Sequence, residues 1–232
     1  MTDPITELKR RAGVHAAQFV ESGMIVGLGH GSTAIHALRR IAQRLREGSL
    51  HDVLGIPCSR QVEADANAEG IPLTTLNEHP VIDLTIDGAD EVDPALNVIK
   101  GGGGALLREK IVAQATQREI IVVDEGKLSP ALCSHWAIPI EVTPYGWRTQ
   151  IGFLESLGGK PVLRRGEDGE PFLTDQGNYI LDAAFAPLAD PGALAAKLDA
   201  RAGIVEYGLF LGLVHDVIVA GSEGVRHLRQ RG

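Results

Sequence analysis

Short apolar runs alternate with longer stretches whose apolar positions recur every three or four residues, and this rhythm organises the first two-thirds of the chain. Segments 24–29, 52–57, 71–76, 81–86, 95–99 and 120–123 are short and apolar, as strands are. Between them the longer period predicts helices. Asp3-Pro4 places an N-cap before a proline at the first helical position, and the helix it opens runs to about residue 22, stopped at Gly23. Further helices are predicted over 32–45, over 59–69 with Gly70 as the stop, and over 105–116. Alternation of this kind implies an α/β fold, a largely parallel Rossmann-like sheet with helices on both faces. In such sheets ligands bind beyond the carboxyl ends of the strands.

Near residue 130 the rhythm changes. A strand over 139–142 precedes a helix over 146–157, and extended segments 161–165 and 178–185 flank a polar turn at 167–170. A helix over 191–201 follows. Strand–helix–strand–strand–helix–strand is the pattern of a small α+β unit. The run 217–220 then returns to a buried-strand pattern. The sequence thus predicts a large α/β domain (1–133 and 207–232) with a smaller α+β domain (134–206) inserted before its last strand.

Composition narrows the function classes. The 232 residues are 44% hydrophobic and 4% aromatic with 28 glycines, which suits a compact α/β protein. The formal charge is −8, and the basic groups (Arg39-Arg40, Arg164-Arg165, the Arg-rich C-terminus) are short and scattered. No basic stripe of the kind a nucleic acid requires is present. Cys58 and Cys133 lack metal-ligand spacing and read as reduced, packed thiols. The N-terminus MTDPITELKR has no basic-then-apolar signal, and no apolar run reaches the ~20 residues needed to span a bilayer. A cytoplasmic protein without membrane or nucleic-acid partners is expected.

Four segments carry candidate chemistry. In Gly29-His30-Gly31-Ser32-Thr33, between a strand and a helix, glycines permit the turn, while free N–H groups and two hydroxyls suit phosphate oxygens. The preceding Gly27 and Gly29 lack G-x-G-x-x-G spacing, and no Walker Gly-Lys-Ser/Thr follows. A helix cap without a ligand is the alternative. Asp87-Gly88-Ala89-Asp90-Glu91-Val92-Asp93 sets four acids in seven residues directly after a strand. Close carboxylates raise one another's pKa, which suits proton transfer by Asp87 and Asp90. A calcium loop is the rival, without its twelve-residue pattern, and a solvated acidic turn is the plainer reading. Lys100-Gly101-Gly102-Gly103-Gly104 then leads into a helix that carries Glu109. Four glycines let backbone press against a ligand, a helix start favours an anion, and Glu109 is a potential acid/base group. Lys127 follows the strand 120–123 at the same carboxyl edge; taken singly, an exposed surface lysine and, for Glu109, a solvated helix carboxylate are the plainer readings. Four strand ends so delivering phosphate-suited N–H groups, two aspartates, a glutamate and two lysines, with no cofactor fingerprint, point to cofactor-free acid/base chemistry on a phosphorylated metabolite.

Taken together, Gly29–Ala34, Asp87–Glu91 and Lys100–Gly103 closely resemble, in order and spacing, the three binding loops of the A-type ribose-5-phosphate isomerases. The likeness continues through 105–110, 175–182 and 203–210. The resemblance implies conversion of ribose 5-phosphate to ribulose 5-phosphate in the pentose phosphate pathway, without cofactor or metal, by a homodimer or homotetramer. It implies Glu109 as the base between C2 and C1, with Asp87, Asp90 and Lys100 assisting ring opening and hydroxyl proton transfers. His30, Gly31, Ser32, Thr33, Gly88, Ala89, Gly101, Gly102, Gly103 and Lys127 would join them in binding substrate. The family usually has threonine where His30 stands, so an imidazole replaces a hydroxyl. Two other readings use the same sheet: a sugar-phosphate-sensing module that binds without turnover, and an aminosugar-phosphate deaminase or CoA-transferase. The presence of Glu109, Asp87 and Asp90 disfavours the first, and the joint three-loop match disfavours the second.

Overall fold

The computed structural model describes residues 4–229. Along the chain run α1 (Pro4–Ala16), β1 (Ile25–Leu28), α2 (Ala34–Arg46), β2 (Leu54–Pro57), α3 (Arg60–Glu69) and β3 (Leu84–Gly88). Next come β4 (Glu91–Val92), β5 (Val98–Ile99), α4 (Leu106–Gln114), β6 (Glu119–Asp124), β7 (Ile138–Val142) and α5 (Arg148–Ser156). Then follow β8 (Lys160–Leu163), β9 (Tyr179–Ala184), α6 (Pro191–Asp199), β10 (Ile204–Tyr207) and β11 (Leu209–Phe210). The chain closes on β12 (Asp216–Gly221) and β13 (Gly224–Arg229). Asp3, expected to cap α1, lies outside the described residues, as does the end of the Arg-rich C-terminus.

The chain divides into two compact units. The first takes the residues up to Ala89, Arg108–Lys127 and those from Gly212 onward. Its sheet has the order β13-β12-β6-β3-β1-β2, parallel throughout except for the β12–β13 hairpin. β6 is buried from Glu119 to Val123 and β12 along its whole length. Strands covered on both faces have no polar side to show, so they read as continuous apolar runs. Val26, Leu28, Ile56, Leu84, Ile86, Ile120, Val122 and Ile218 form the core with Ala37, Leu38 and Ile41 of α2 and Val62 of α3. Ser59 caps α3 by accepting from Val62 N, and Gly70 ends it in the left-handed conformation (φ +77°), as the sequence predicts.

The second unit takes Asp90–Leu107 and Leu128–Leu211. β7, α5, β8, β9, α6 and β10 form the expected strand–helix–strand–strand–helix–strand unit, with an antiparallel sheet in the order β10-β7-β9-β8. Its core contains Ile138, Ile140, Val142, Leu154, Leu181, Ala183, Leu194 and Leu198. A separate three-stranded sheet runs β11-β5-β4. Segments 90–107, 128–133 and 207–211, assigned from sequence to the large domain, pack with this unit. The cause is local pairing: two-residue β5 pairs antiparallel with β4 and β11, and Ile99 joins the second core.

Other differences have similar causes. Segment 71–76 contributes one bridge, Leu73 with Gly55, and no strand. β3 begins at Leu84 rather than at 81; Asp83 meets Ile25 of β1 with its backbone N–H, donating to Ile25 O at 3.0 Å, and with its side chain, accepting from Ile25 N at 2.8 Å. β13 escaped the sequence reading because its polar, half-exposed residues lie at the sheet edge.

Glu141, on β7, is fully buried and accepts from Thr174 Oγ1 (2.9 Å) and Asn178 Nδ2 (2.8 Å). Burial pushes its carboxyl above the ordinary range despite those two hydrogen bonds, with Glu206 and Asp175 adding to the rise. The unfolded chain therefore ionises first as pH climbs, and the native state loses stability until the buried group has ionised too. Between pH 4 and pH 7 the stability difference between Glu141→Gln and the parent should move in favour of the glutamine. Thermal melts at the two pH values check this, and parallel Tm shifts would contradict it.

Candidate active site

In the first unit the chain leaves β1 toward β2 on one side and resumes at β3 on the other. Such a reversal leaves a crevice at the carboxyl ends of the two strands, where open α/β sheets bind ligands. His30–Thr33 follow β1, Asp87 and Gly88 end β3, and Lys127 closes a 3-10 turn after β6. Since β1, β3 and β6 are parallel, these groups share one edge of the sheet.

Asp87 is 1% exposed. Its Oδ1 accepts from His30 N at 2.9 Å and from its neighbour Gly88 N at 2.7 Å. Gly29 makes this fit possible. A Cβ there would collide with the Asp87 Cα and carboxyl, just as a Cβ on Gly27 would strike Thr85. The two glycines that superficially suggested a dinucleotide fingerprint thus serve the close approach of β1 to β3. Thr33 starts α2 without a side-chain capping bond, and Ser32 Oγ accepts from Lys9 Nζ of α1 at 2.9 Å. A hollow of about 250 Å³ lies beside this loop, bounded by His30, Gly31, Ser32, Gln61, Val62 and Asp65 among others. His30 Nδ1 is buried and has no hydrogen-bond partner among the described residues.

Glu109 stands in the first turn of α4, 5% exposed. One carboxylate oxygen of Glu109, one of Asp87 and the Cys58 Sγ lie within 4.8 Å of one another, all in buried residues. Cys58, read from sequence as a packed thiol, follows β2 at the same sheet edge, its N–H bonded to Leu28 O at 3.0 Å. Its position after a strand adjacent to β1 was the available signal. Two carboxylates and a thiol could ligate a divalent ion such as zinc. The same pair of carboxyls, out of bulk water and in mutual reach, equally suits proton transfer.

In the second unit the β4–β5 hairpin brings together residues ten apart in sequence. Asp90 precedes β4 and Lys100 follows β5. Asp90 Oδ2 accepts from Gly102 N at 2.8 Å, Asp90 N donates to Ile99 O, and Lys100 N donates to Gly208 O at 2.9 Å. Lys100 is 2% exposed, its Nζ 5.7 Å from the centre of the Phe210 ring. The glycine run therefore follows a strand of the small antiparallel sheet, not a fourth strand of the parallel one. The acidic segment is resolved by dispersal, each carboxylate taking its own donors. Asp87 and Asp90 are held as above. Glu91 takes Ser129 Oγ, Cys133 N and His135 N, and Asp93 takes Ala95 N, Asn97 N and Asn97 Nδ2.

A doubly wound sheet with an anion-suited loop and a buried acid pair at its switch point defines a class: α/β enzymes for acid/base chemistry on small anionic metabolites. Comparison with known proteins narrows it. Residues 54–224 match the family model described as ribose 5-phosphate isomerase A (phosphoriboisomerase A). The ribose-5-phosphate isomerase A of Chloroflexus aurantiacus is 57% identical over 95% of this chain and 92% of its own. Among solved structures, the ribose 5-phosphate isomerase of Plasmodium falciparum is 39% identical with a TM-score of 0.94, covering 98% of this chain and 100% of its own. A D-ribose-5-phosphate isomerase in complex with phospho-erythronic acid is 38% identical with a TM-score of 0.96 and the same coverage. The chain belongs to the ribose 5-phosphate isomerase A family.

Gly29→Ala should cost at least about a hundredfold in kcat/KM, because a displaced Asp87 loses its alignment. Steady-state kinetics check this, and near-parental activity would show that the contact is not needed. His30→Thr exchanges an imidazole for a hydroxyl and should change KM for ribose 5-phosphate. A parental KM would remove the ring from the binding site.

Proposed function

We propose that Glu109 moves the proton in the reaction that family membership assigns to this chain, the interconversion of ribose 5-phosphate and ribulose 5-phosphate. The observation that carries this assignment is the buried Glu109 carboxyl within 4.8 Å of Asp87 at the end of β3. In the open-chain aldose the C2 hydrogen lies next to the C1 carbonyl and is only weakly acidic. Glu109 takes that proton, the electron pair forms the C1–C2 double bond of an enediolate, and Glu109 returns the proton to C1. A second proton passes from the C2 hydroxyl to O1, and the ketose results. Groups aimed at the developing negative charge lower the barrier most. The Lys100 ammonium is suited to that task, and Asp87 and Asp90 to ring opening and to proton transfer between hydroxyls.

The phosphoryl group falls to residues 30–33 and Lys127. The reading is supported by the uncapped start of α2, whose N–H groups favour an anion, and by the Lys9 ammonium on Ser32. Gly88, Ala89, Asp90 and Gly101–Gly103 supply further contacts to the sugar. The phospho-erythronic acid bound to the related isomerase has the chemistry of an enediolate mimic, since a carboxylate sets two oxygens on one carbon beside a phosphorylated polyol. The proposed reaction needs no metal. The compartment we propose is the cytoplasm, and among the described residues no helix is long and apolar enough to cross a membrane. We further propose a homodimer or homotetramer, to be read from mass by light scattering.

Glu109→Gln keeps the shape and removes the base. Turnover should fall by at least about 10³-fold, while phospho-erythronic acid binds within about threefold of the parent. Substantial residual turnover in a pure preparation would exclude Glu109 as the base. Activity should survive exhaustive chelation. Loss on chelation with recovery on adding one divalent ion would assign the Cys58–Asp87–Glu109 cluster to a metal instead.

A further inference from the structure

Arg164, just past β8, lies outside all of the loops singled out above, yet its guanidinium reaches the glycine run. Nη1 donates to Gly101 O at 2.9 Å and to Gly102 O at 3.0 Å. The other edge makes a two-pronged pair with Asp182 of β9, Nε to Oδ2 at 2.9 Å and Nη2 to Oδ1 at 2.5 Å. The side chain is 15% exposed. The Phe172 ring lies 5.8 Å from the guanidinium and also fills the space beside Gly104.

Two consecutive carbonyls on one cation fix two peptide planes. In a planar trans peptide the C=O and N–H point in opposite directions. With the Gly101 carbonyl on Arg164, the Gly102 N–H faces away and meets Asp90 Oδ2. With the Gly102 carbonyl on the same guanidinium, the Gly103 N–H also faces away from Arg164. It has no hydrogen-bond partner among the described residues. One bond lies within the run, Gly104 N donating to Gly101 O at 3.0 Å. Glycines have no side chains to hold them and the largest conformational freedom to lose, so the rest of the order comes from outside the loop. Asp182 offsets the charge of Arg164, which leaves orientation rather than long-range attraction as the effect.

We propose that Arg164, braced by Asp182, is a positioning residue for substrate binding. It holds the Gly101 and Gly102 peptides so that the Gly103 N–H is presented to an oxygen of the sugar phosphate or its enediolate. This rests on the assignment of Gly101–Gly103 to the substrate. Planarity and the fork of five donors are what the task requires. A lysine offers one point charge and cannot hold two carbonyls and both carboxylate oxygens at once.

The test compares Arg164→Lys, Arg164→Met and Asp182→Asn. Arg164→Lys and Arg164→Met should raise KM for ribose 5-phosphate and the calorimetric Kd for phospho-erythronic acid by about tenfold, with kcat within about threefold. Asp182→Asn should give a smaller rise of the same kind. Adding methylguanidinium to Arg164→Ala should bring KM back toward the parent value, which a purely structural role would not do. If Arg164→Met does not fold, the lysine and asparagine variants decide. Folded Arg164 variants with parental KM and Kd would overturn the inference, as would losses confined to Tm. Failure of the Glu109 assignment shows itself separately, as turnover in Glu109→Gln, and leaves the Arg164 effect on binding in place.

Discussion

The contact between Gly29 and Asp87 is the constraint from which the rest of the first unit's chemistry follows. A carboxylate at the end of a buried parallel strand loses its hydration, and leaving it without donors would cost several kcal/mol. Backbone N–H groups of His30 and Gly88 replace the water. That arrangement requires the turn after β1 to pass closer to Asp87 than any Cβ allows. The same turn then leads into α2 and carries residues 30–33, the loop proposed to take the phosphoryl group. One steric condition at a glycine therefore couples the acid group to the anion loop.

The second unit solves a different problem. Its contribution is a flexible glycine run, which must be held without blocking the surface it offers. Asp90 takes one N–H, Gly208 anchors Lys100, and Arg164 takes two carbonyls. Apart from the bond of Gly104 N to Gly101 O within the run, these anchors come from outside it. The βαββαβ unit thereby has a function beyond its own core: β8 leads into Arg164, and β9 supplies the Asp182 that braces it.

Much of this was legible in the order of residues along the chain. The strand–turn–helix signals at Gly29–Thr33, the apolar strand leading to Asp87 and the break into α4 at the glycines rest on local chemistry that the chain cannot avoid. Ser59 and Gly70 mark their helix ends because capping needs one hydroxyl and one residue at positive φ. Glu109 stood out only in company with the other loops, since a carboxylate on a helix surface is usually just solvated, and its burial was set by folding. Asp87 and Asp90 looked equivalent in sequence, three residues apart at one strand end. In the fold Asp87 is held within the parallel sheet beside Glu109, and Asp90 is held by the glycine run.

What the sequence by itself determined was element type, the parallel character of the main sheet, the family and the set of candidate loops, since these depend on periodicity and on short motifs. Which unit each segment joins was decided by tertiary structure, because a two-residue strand such as β5 has no intrinsic preference and takes whatever edge is offered. The nearness of Cys58 to Asp87 and Glu109, the ammonium of Lys9 on Ser32 and the grip of Arg164 on Gly101 and Gly102 were likewise set by folding. Each joins residues between 23 and 63 positions apart. Nothing in a linear pattern encodes such a meeting, which only the packing of strands and helices brings about.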